Sequence, residues 1–460
     1  MNRRIFLVGG LLALCRPAWA EPRGALSPRQ WLDRWLAAFN ADSLGVYAAF
    51  VKAHVPTLVP YLDDDLGLRE ATGGFHLLRA EEGGPGEITA WFRDRNWDRR
   101  SRVVLKAEDD RIGDLTFLGA GESAPDVARL GERAAVSLLR QKLEAEADAG
   151  RFSGTVLVAR NGRPLFRYAS GLADASRSER MRADTRFCIG SMGKMFTAVA
   201  TLQLVTRSQL TLSDPLSRWI PDYPNTEMAR QVTVEHLLTH TGGTGDFFGP
   251  DYEANAASLK TPDDFIRLYG ARAPLFPAGS RYGYSNYGFI LLGALIERAS
   301  GQRWDDYLRR NIFERVGMPS TSPLASAGKT AIPYTGASAT GLKPLPFYVG
   351  LPAGGGYSTV DDLLRFGRGL RAGRLLDDRG LALLTAGRVT ARDNRWSAGL
   401  KVAERGGASF YGHSGSAPGV NGDYAFYPRS GYETIVLSNR GYPSASNVAE
   451  YIGLRLPTAA

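Results

Sequence analysis

The chain has 460 residues, of which 44% are hydrophobic and 22% are charged, a composition typical of globular proteins. At this length we expect two or three domains, with a core that needs no disulfide or metal staples. The formal net charge is +9, but the Lys and Arg residues are dispersed along the chain, which argues against a nucleic-acid partner. The sequence has no His-Glu-x-x-His or Cys-x-x-Cys pattern, so we expect neither a metal site nor a cofactor.

The first twenty residues have the features of an export signal. Residues 2–4 are basic, residues 5–14 are apolar, and residues 18–20 form a small-x-small cleavage site. The apolar run is too short for a permanent membrane span. Residues 3–7 also resemble the twin-arginine motif, so a secretory and a twin-arginine route both stay open. We therefore expect a signal peptide at residues 1–20 and a protein exported to the periplasm or the medium.

Residues 21–125 are predicted to form a small α+β domain. Apolar positions at helical spacing predict helix within residues 31–51. Short runs separated by Gly, Asp and Asn predict four strands, at 75–79, 88–93, 103–106 and 112–118. This order resembles the cone-shaped domain of the nuclear-transport-factor-two and SnoaL-like group. Residues 119–125 have the composition of a linker.

Residues 126–460 are predicted to form a second, larger domain. A helix is expected at 134–147, and a continuous apolar run at 155–159 predicts a buried strand with a hairpin partner at 163–171. Strands return near the C-terminus, at 396–402, 410–411, 423–427 and 434–437, before a closing helix at 448–456. Strands at both ends with helices between them predict an α/β (α+β) fold, in which one antiparallel sheet is built from both ends of the domain.

Once the predicted signal is removed, Cys188 is the one cysteine left in the chain. A single cysteine cannot form an internal disulfide. Although Cys188 lies close to Ser191 in the sequence, we interpret it as a small buried apolar residue and not as a nucleophile.

Ser191 and Lys194 are the first candidates for catalysis. They form a Ser-x-x-Lys pattern followed by apolar residues at helical spacing, so Ser191 is predicted to open a helix with Lys194 on the same face. A serine hydroxyl needs an adjacent base to act as a nucleophile. Partial burial near a helix N-terminus lowers the pKa of a lysine, which suits Lys194 for that task. The Ser191 backbone N–H at the same helix end is placed to stabilise an oxyanion.

Two further patterns supply polar groups for the same chemistry. Tyr284 and Asn286 precede an apolar run; a tyrosine near a lysine can relay protons, and an asparagine can hold the lysine and bind a substrate amide. His413 and Gly415 suit an edge strand, where glycine lets a substrate backbone approach and an imidazole can orient a carboxylate or assist proton transfer. None of the three patterns is specific alone, because each has a second copy, beginning at Ser326, Tyr223 and His240.

In this order and context, the three patterns resemble those of the penicillin-recognising serine hydrolases. Four other segments are also similar to segments of that family, at residues 237–243, 276–279, 354–359 and 412–415. The resemblance covers about residues 150–456. The chain is identified as a member of the β-lactamase-related family, which includes class C β-lactamases, D-alanyl-D-alanine carboxypeptidases, D-aminopeptidases and β-lactamase-like esterases. This implies a β-lactamase/transpeptidase-like fold with a helical subdomain.

The resemblance also implies roles for individual residues. The catalytic residues are Ser191 as nucleophile, Lys194 as base and Tyr284 as proton relay. The substrate-binding residues are Asn286, His413, Gly415 and Ser416, of which Ser416 supplies a second oxyanion N–H beside that of Ser191. Class C β-lactamases usually have lysine at the position of His413, and members with histidine there are often esterases or D-amino-acid peptidases.

We therefore expect an exported serine hydrolase that cleaves an ester or a D-amino-acid-containing amide through an acyl-enzyme on Ser191. Its substrate is expected to be a small molecule or peptide-like. The alternative is a non-catalytic or penicillin-binding sensor on the same fold, but the presence of all the catalytic residues favours an enzyme. The chain has no Gly-x-Ser-x-Gly segment, which argues against an α/β-hydrolase. The sequence gives no indication of oligomeric state.

Overall fold

A computed structural model describes residues 26–108, 110–119, 127–325, 329–337, 341–391 and 394–459. The predicted signal peptide at residues 1–20 and the predicted domain boundary at 125/126 lie outside the described residues. Across the described ranges, no helix combines the length and the apolar character that crossing a membrane requires.

We call residues 26–119 the N-terminal unit. It contains helices α1 (Pro28–Phe39), α2 (Leu44–His54) and α3 (Leu62–Thr72), a 3-10 helix at Pro56–Tyr61, and strands β1 (Phe75–Glu82), β2 (Glu87–Asp94), β3 (Arg100–Ala107) and β4 (Ile112–Gly119). The strands pair in the order β1-β2-β3-β4, with every pair antiparallel. The four predicted strands are confirmed.

The helical region predicted at residues 31–51 consists of two helices, α1 and α2. The carboxamide of the α1 C-cap, Asn40, bonds the backbone carbonyl and N–H of Phe75 at 2.9 and 2.7 Å, which ties the helix end to β1. Ser43 then caps the start of α2 with its side chain. The helical pattern is interrupted between the two caps, because the side chain of Asn40 bonds β1 and that of Ser43 caps the next helix.

We call residues 127–459 the C-terminal region. Its strands are β5 (Gly154–Arg160), β6 (Arg163–Ser170), β7 (Leu172–Asp174), β8 (Glu179–Arg180), β9 (Phe187–Cys188), β10 (Tyr334–Thr335), β11 (Lys343–Pro344), β12 (Tyr357–Ser358), β13 (Val389–Ala391), β14 (Asn394–Trp396), β15 (Lys401–Arg405), β16 (Ala408–Ala417), β17 (Val420–Tyr427) and β18 (Tyr432–Ser438).

Its helices are α4 (Glu132–Asp148), α5 (Lys194–Thr206), α6 (Leu216–Trp219), α7 (Thr226–Gln231), α8 (Val234–Leu238), α9 (Pro250–Asn255), α10 (Pro262–Tyr269), α11 (Asn286–Ser300), α12 (Trp304–Leu308), α13 (Glu314–Val316), α14 (Val360–Arg371), α15 (Asp378–Thr385) and α16 (Ser444–Gly453). A 3-10 helix at Gly190–Gly193 precedes α5, and a π-helix at Arg309–Phe313 joins α12 to α13. The helix predicted at 134–147 is confirmed as α4.

Eight strands form one antiparallel sheet in the order β13-β14-β15-β16-β17-β18-β5-β6. The strands β5 and β6 thus join strands from the other end of the region, as the sequence predicted. Side chains alternate across the sheet: Val156 and Val158 pack with α4 and α16, whereas Leu157 and Ala159 pack with α5 and α11. A sheet covered on both faces by helices confirms the predicted fold class.

The strand predicted at 396–402 is wrong. β14 ends at Trp396 and β15 begins at Lys401, with a tight turn between them. At its centre, Gly399 has a φ of +66°, and an added Cβ would lie 2.8 Å from the Ala198 Cβ on α5. The alternating apolar residues that mimic a strand pack instead against the helices, because Ala398 and Leu400 belong to the same core as α5.

Candidate active site

Ser191 lies where the sheet meets the first buried helix. It is the second residue of the 3-10 helix Gly190–Gly193, and α5 begins at Lys194. Gly190 has a φ of +51°, and a Cβ added to it would lie 3.1 Å from the Ser416 nitrogen. The chain before Ser191 therefore passes so close to β16 that a side chain at Gly190 would require its neighbours to shift, and its positive φ favours glycine as well.

Lys194 lies beside Ser191 with no exposed surface. Its Nζ lies 3.3 Å from the Ser191 Oγ, donates to Asn286 Oδ1 at 2.6 Å and donates to the Ala353 carbonyl. A neutral amine has two N–H groups and one lone pair. The two acceptors occupy the N–H groups, which leaves the lone pair to accept the Ser191 hydroxyl proton.

Burial also sets the charge of this lysine. Desolvation disfavours the ammonium form and lowers the pKa of Lys194 to about 7, and the negative charge of Asp246 opposes this shift. A lysine with a pKa in this range is a free base in a substantial part of the molecules at neutral pH, which an ordinary lysine is not.

Tyr284 completes the group around the serine. Its hydroxyl is hydrogen-bonded to Ser191, and burial raises its pKa above the ordinary value. The phenol therefore stays protonated at neutral pH and is able to donate or relay a proton, while Lys194 is better suited to be the resting base. The ring centroid lies 4.9 Å from the Lys194 Nζ, and the ring of His240 stacks behind it at 4.4 Å.

Asn286 is the first residue of α11, after the N-cap Ser285. Its carboxamide accepts from Lys194 through Oδ1 and donates from Nδ2 to an Asp246 carboxylate oxygen at 2.7 Å. The structure therefore gives Asn286 a positioning contact with the lysine, and it brings Asp246 to the site as well. Asp246 could not be predicted from the sequence, because it lies in a loop with no pattern of its own.

The section of β16 beyond Gly412 faces Ser191. β15 pairs with β16 only as far as Gly412. From His413 onward, the edge of β16 that faces the 3-10 helix is therefore not paired with β15. Gly415 lies at the closest approach, where an added Cβ would be 2.0 Å from the Ile189 carbonyl oxygen. The predicted residues Gly415 and Ser416 are thus brought to Ser191.

His413 precedes this section and is buried. Its Nδ1 lies 2.6 Å from the Ser414 carbonyl oxygen, so Nδ1 carries the hydrogen, and Nε2 has no hydrogen-bond partner among the described residues. Burial, with the nearby Lys194 charge, lowers the pKa of His413 to about 3. A neutral imidazole with a free Nε2 accepts a hydrogen bond, but it offers no positive charge to a substrate carboxylate.

A cavity of about 810 Å³ opens in front of the serine. Ser191, Tyr284, Trp396, His413 and Ser416 are among the residues that line it. The indole of Trp396 lies 5.6 Å from the His413 ring and 5.9 Å from the Tyr284 ring, so it forms an apolar wall. Trp396 was missed because its sequence pattern was interpreted as part of a strand.

Cys188 and His240 lie near the site. Cys188 is free and buried, and burial raises its pKa to about 12, in agreement with the apolar interpretation. His240 has a φ of +57° and accepts the Ser285 N–H at Nδ1, so it supports the loop before α11. Within the described residues, no group of three or more His, Cys, Asp and Glu side chains is arranged to hold a metal ion.

Comparison with known proteins places this fold and site in a family. A family model described as Beta-lactamase matches residues 139–456, which is more than half of the chain, and the chain belongs to that family. The N-terminal unit lies outside the match.

Two curated relatives and one solved structure show the kinds of protein to which the chain is similar. Penicillin-binding protein 4* of Bacillus subtilis (strain 168) is 28% identical over 186 residues, 40% of this chain and 40% of that protein. Esterase EstB of Burkholderia gladioli is 30% identical over 356 residues, which cover 64% of this chain and 88% of the esterase. The crystal structure of a penicillin binding protein from Bacillus halodurans superposes with a TM-score of 0.61 at 32% identity, covering 67% of this chain and 98% of that one. The chain thus spans less than half of the first relative and most of the other two.

Proposed function

We propose that this protein is a serine hydrolase that cleaves a carboxylic ester through an acyl-enzyme on Ser191. The observation that carries the proposal is the buried Lys194 amine, which lies 3.3 Å from the Ser191 Oγ with both of its N–H groups bonded elsewhere. A nucleophile and its base in direct contact, with the base oriented by further groups, is the arrangement that covalent catalysis requires.

The proposed reaction has two halves. Lys194 takes the Ser191 proton, Oγ attacks the ester carbonyl, and the N–H groups of Ser191 and Ser416 hold the oxyanion. The Tyr284 hydroxyl passes the proton to the leaving alcohol as its C–O bond breaks. Water then attacks the acyl-enzyme, gives its proton to Lys194 and releases the acid, and the proton returns to Ser191.

The neutral imidazole at His413 supports an uncharged substrate, because it gives no electrostatic attraction for a carboxylate. A D-amino-acid amide with a free amine is a second candidate. Asp246 favours it, since this carboxylate is exposed beside Asn286 and suits an ammonium group. The relatives include an esterase, which supports the first choice.

The test compares turnover of p-nitrophenyl butyrate by the mature protein, Ser191→Ala and Ser326→Ala. Ser326 begins the second Ser-x-x-Lys copy, so it is a control with matched sequence pattern. We expect activity in the wild type and in Ser326→Ala, no activity in Ser191→Ala, and a butyryl adduct on the peptide that contains Ser191 in quenched samples. Equal activity in all three proteins would exclude Ser191 as the nucleophile. A stable penicillin adduct without ester turnover would favour the sensor alternative.

We also propose that residues 1–20 direct export and that residues 21–125 and 126–460 form separate domains. Export is supported by the first segment, in which a basic part, an apolar part and a small-x-small site follow one another. Separate domains are supported by the linker-like composition of residues 119–125. N-terminal sequencing of the extracytoplasmic protein is expected to begin at Glu21. Export that stops in an Arg3→Lys, Arg4→Lys variant would identify the twin-arginine route, and unaffected export the secretory one.

A further inference from the structure

The N-terminal unit contacts the C-terminal region beside the active site. Helix α3 makes three polar contacts with the other part, because its acidic residues meet basic and hydroxyl groups there. The contacts are Glu70 to Arg440 at 3.2 Å, Asp63 to Lys343 at 2.6 Å and Asp64 to Thr335 at 2.5 Å. Ala337 of the C-terminal region also packs into the apolar core of the N-terminal unit.

A cavity of about 440 Å³ lies between the two parts. Both parts line it with apolar groups: Leu58, Leu68 and Phe117 from the N-terminal unit, and Tyr334, Ala417 and Pro418 from the C-terminal region. The three N-terminal side chains are only half-buried, although they pack against the core of their own unit. Their remaining apolar surface faces a space that a ligand can fill.

The charged groups on the cavity wall already have partners in the protein. They bond in pairs, namely Asp64 with Thr335, Asp65 with Tyr47, Glu70 with Arg440 and Arg151 with Glu146. A charged ligand would have to compete with these contacts, whereas an apolar group gains from leaving water. The cavity therefore suits an apolar group.

Strand β16 connects this cavity to the catalytic one. Ser416 lines both, with His413 and Trp396 on one side and Ala417 and Pro418 on the other. Two residues of extended strand span about 7 Å, a length that a medium-length acyl chain can cover.

The position of Tyr284 indicates which cavity takes the leaving alcohol of the substrate and which takes the acyl group. Its hydroxyl must lie next to the leaving oxygen, and its ring lines the catalytic cavity with Trp396 but does not line the second cavity. The leaving alcohol therefore points toward Trp396, and the acyl group points along β16 toward Pro418.

We propose that the cavity between the two parts is an acyl-binding site, with the N-terminal unit as one wall, and that the enzyme prefers esters of medium-chain acids to acetate esters. This inference rests on the proposed hydrolase function and names its substrate class. It gives the N-terminal unit a direct part in specificity although that unit lies outside the family match.

The test is the ratio of kcat/KM for p-nitrophenyl octanoate to that for p-nitrophenyl acetate. We expect the wild type to favour octanoate at least tenfold. Leu68→Trp and Leu58→Trp fill the cavity from two sides and are expected to lower the ratio at least tenfold. Leu78→Trp is the matched control, since Leu78 is exposed on β1 away from the cavity, and its ratio should equal that of the wild type. Circular dichroism verifies that each variant is folded.

The outcomes separate the two proposals. If acetate is cleaved in a Ser191-dependent manner but folded cavity variants keep the wild-type ratio, the acyl site is wrong and the hydrolase assignment stands. If no ester is cleaved, binding of the neutral octanamide to Ser191→Ala, measured by calorimetry, decides the question. Binding that weakens tenfold in the added Leu68→Trp variant supports an apolar ligand site, and absence of binding overturns it.

Discussion

Lys194 presents its amine 3.3 Å from the Ser191 hydroxyl while its own side chain is completely buried. The contact and the burial act together, since the buried position that sets the amine beside Ser191 also disfavours its charged form. The pKa of Lys194 falls to about 7, against the influence of the Asp246 carboxylate. The lysine therefore needs no separate group to deprotonate it near neutral pH.

The first prediction is a pH profile. The rate constant kcat/KM is expected to rise through a single ionisation with a midpoint near pH 7, because only the neutral Lys194 accepts the serine proton. Ester hydrolysis between pH 5 and 9, corrected for spontaneous hydrolysis, measures it. His413→Gln should lower the rate but keep the midpoint, because the pKa of His413 lies near 3 and its ring is already neutral. A midpoint that vanishes in His413→Gln would assign the ionisation to the histidine.

The second prediction concerns Asp246. Its negative charge raises the pKa of Lys194, so Asp246→Asn is expected to move the acid limb of the profile to lower pH. The same profile measured on Asp251→Asn is the control, since Asp251 lies on α9 and pairs with Arg272. A shift to higher pH, or the same shift in both variants, would contradict a direct interaction between Asp246 and Lys194.

The third prediction separates the roles of Tyr284 and Lys194. Tyr284→Phe removes the hydroxyl that donates toward the leaving group, and we expect turnover to fall by about 10²–10⁴-fold. The loss should be larger for ethyl esters than for p-nitrophenyl esters, because a nitrophenolate leaves without a proton. Tyr168→Phe, on β6, is the matched control and should have no effect. An equal loss for both kinds of ester would mean that Tyr284 acts before the leaving-group step.

The fourth prediction is that the buried Lys194 lowers the stability of the folded protein at low pH. Below about pH 7 the folded protein holds a buried ammonium at Lys194, whereas between about pH 7 and 10 only the unfolded chain keeps that proton. Wild-type stability relative to Lys194→Met is therefore expected to rise with pH in that interval, by up to about 1.4 kcal/mol per pH unit.

Urea unfolding of both proteins at pH 6, 7.5 and 9 measures the difference. Lys194→Met should be inactive and more stable than the wild type at pH 6, with an advantage that shrinks as the pH rises. Lys260→Met, at an exposed position, controls for the general effect of removing a lysine. A constant difference across this range would show that Lys194 keeps an ordinary pKa.

Much of the architecture could be predicted from the sequence. The continuous apolar run at residues 155–159 and the strands near the C-terminus identified the central sheet, because strands such as β5 and β18 are buried and rich in apolar residues. Periodicity fails where a turn repeats the same alternation, as at Ala398 and Leu400, since a period of two does not show whether the backbone is extended. The positive φ of Gly399 decides that point, and it is visible only in the structure.

The site was predictable to a similar degree. The Ser-x-x-Lys spacing places Lys194 next to Ser191 through local helical geometry, which sequence alone supplies. The contacts of Lys194 with Asp246, through Asn286, and with the Ala353 carbonyl join residues far apart in the chain, so no local pattern marks them. The second cavity needs two parts of the chain to meet, and it could not be found before the fold was known.

The fifth prediction tests the fit of β16 against Ser191. A Cβ at Gly415 would lie 2.0 Å from the Ile189 carbonyl oxygen, which is too close for any real contact, so Gly415→Ala must push the strand away from the 3-10 helix. We expect a loss of about 1–3 kcal/mol in unfolding free energy. We also expect a fall in kcat that persists while the protein is folded, because the Ser416 N–H leaves the oxyanion position. Gly131→Ala is the control, since no atom lies near its added Cβ. Urea unfolding and ester hydrolysis measure the two effects, and wild-type kcat in a folded Gly415→Ala protein would show that β16 does not hold the oxyanion.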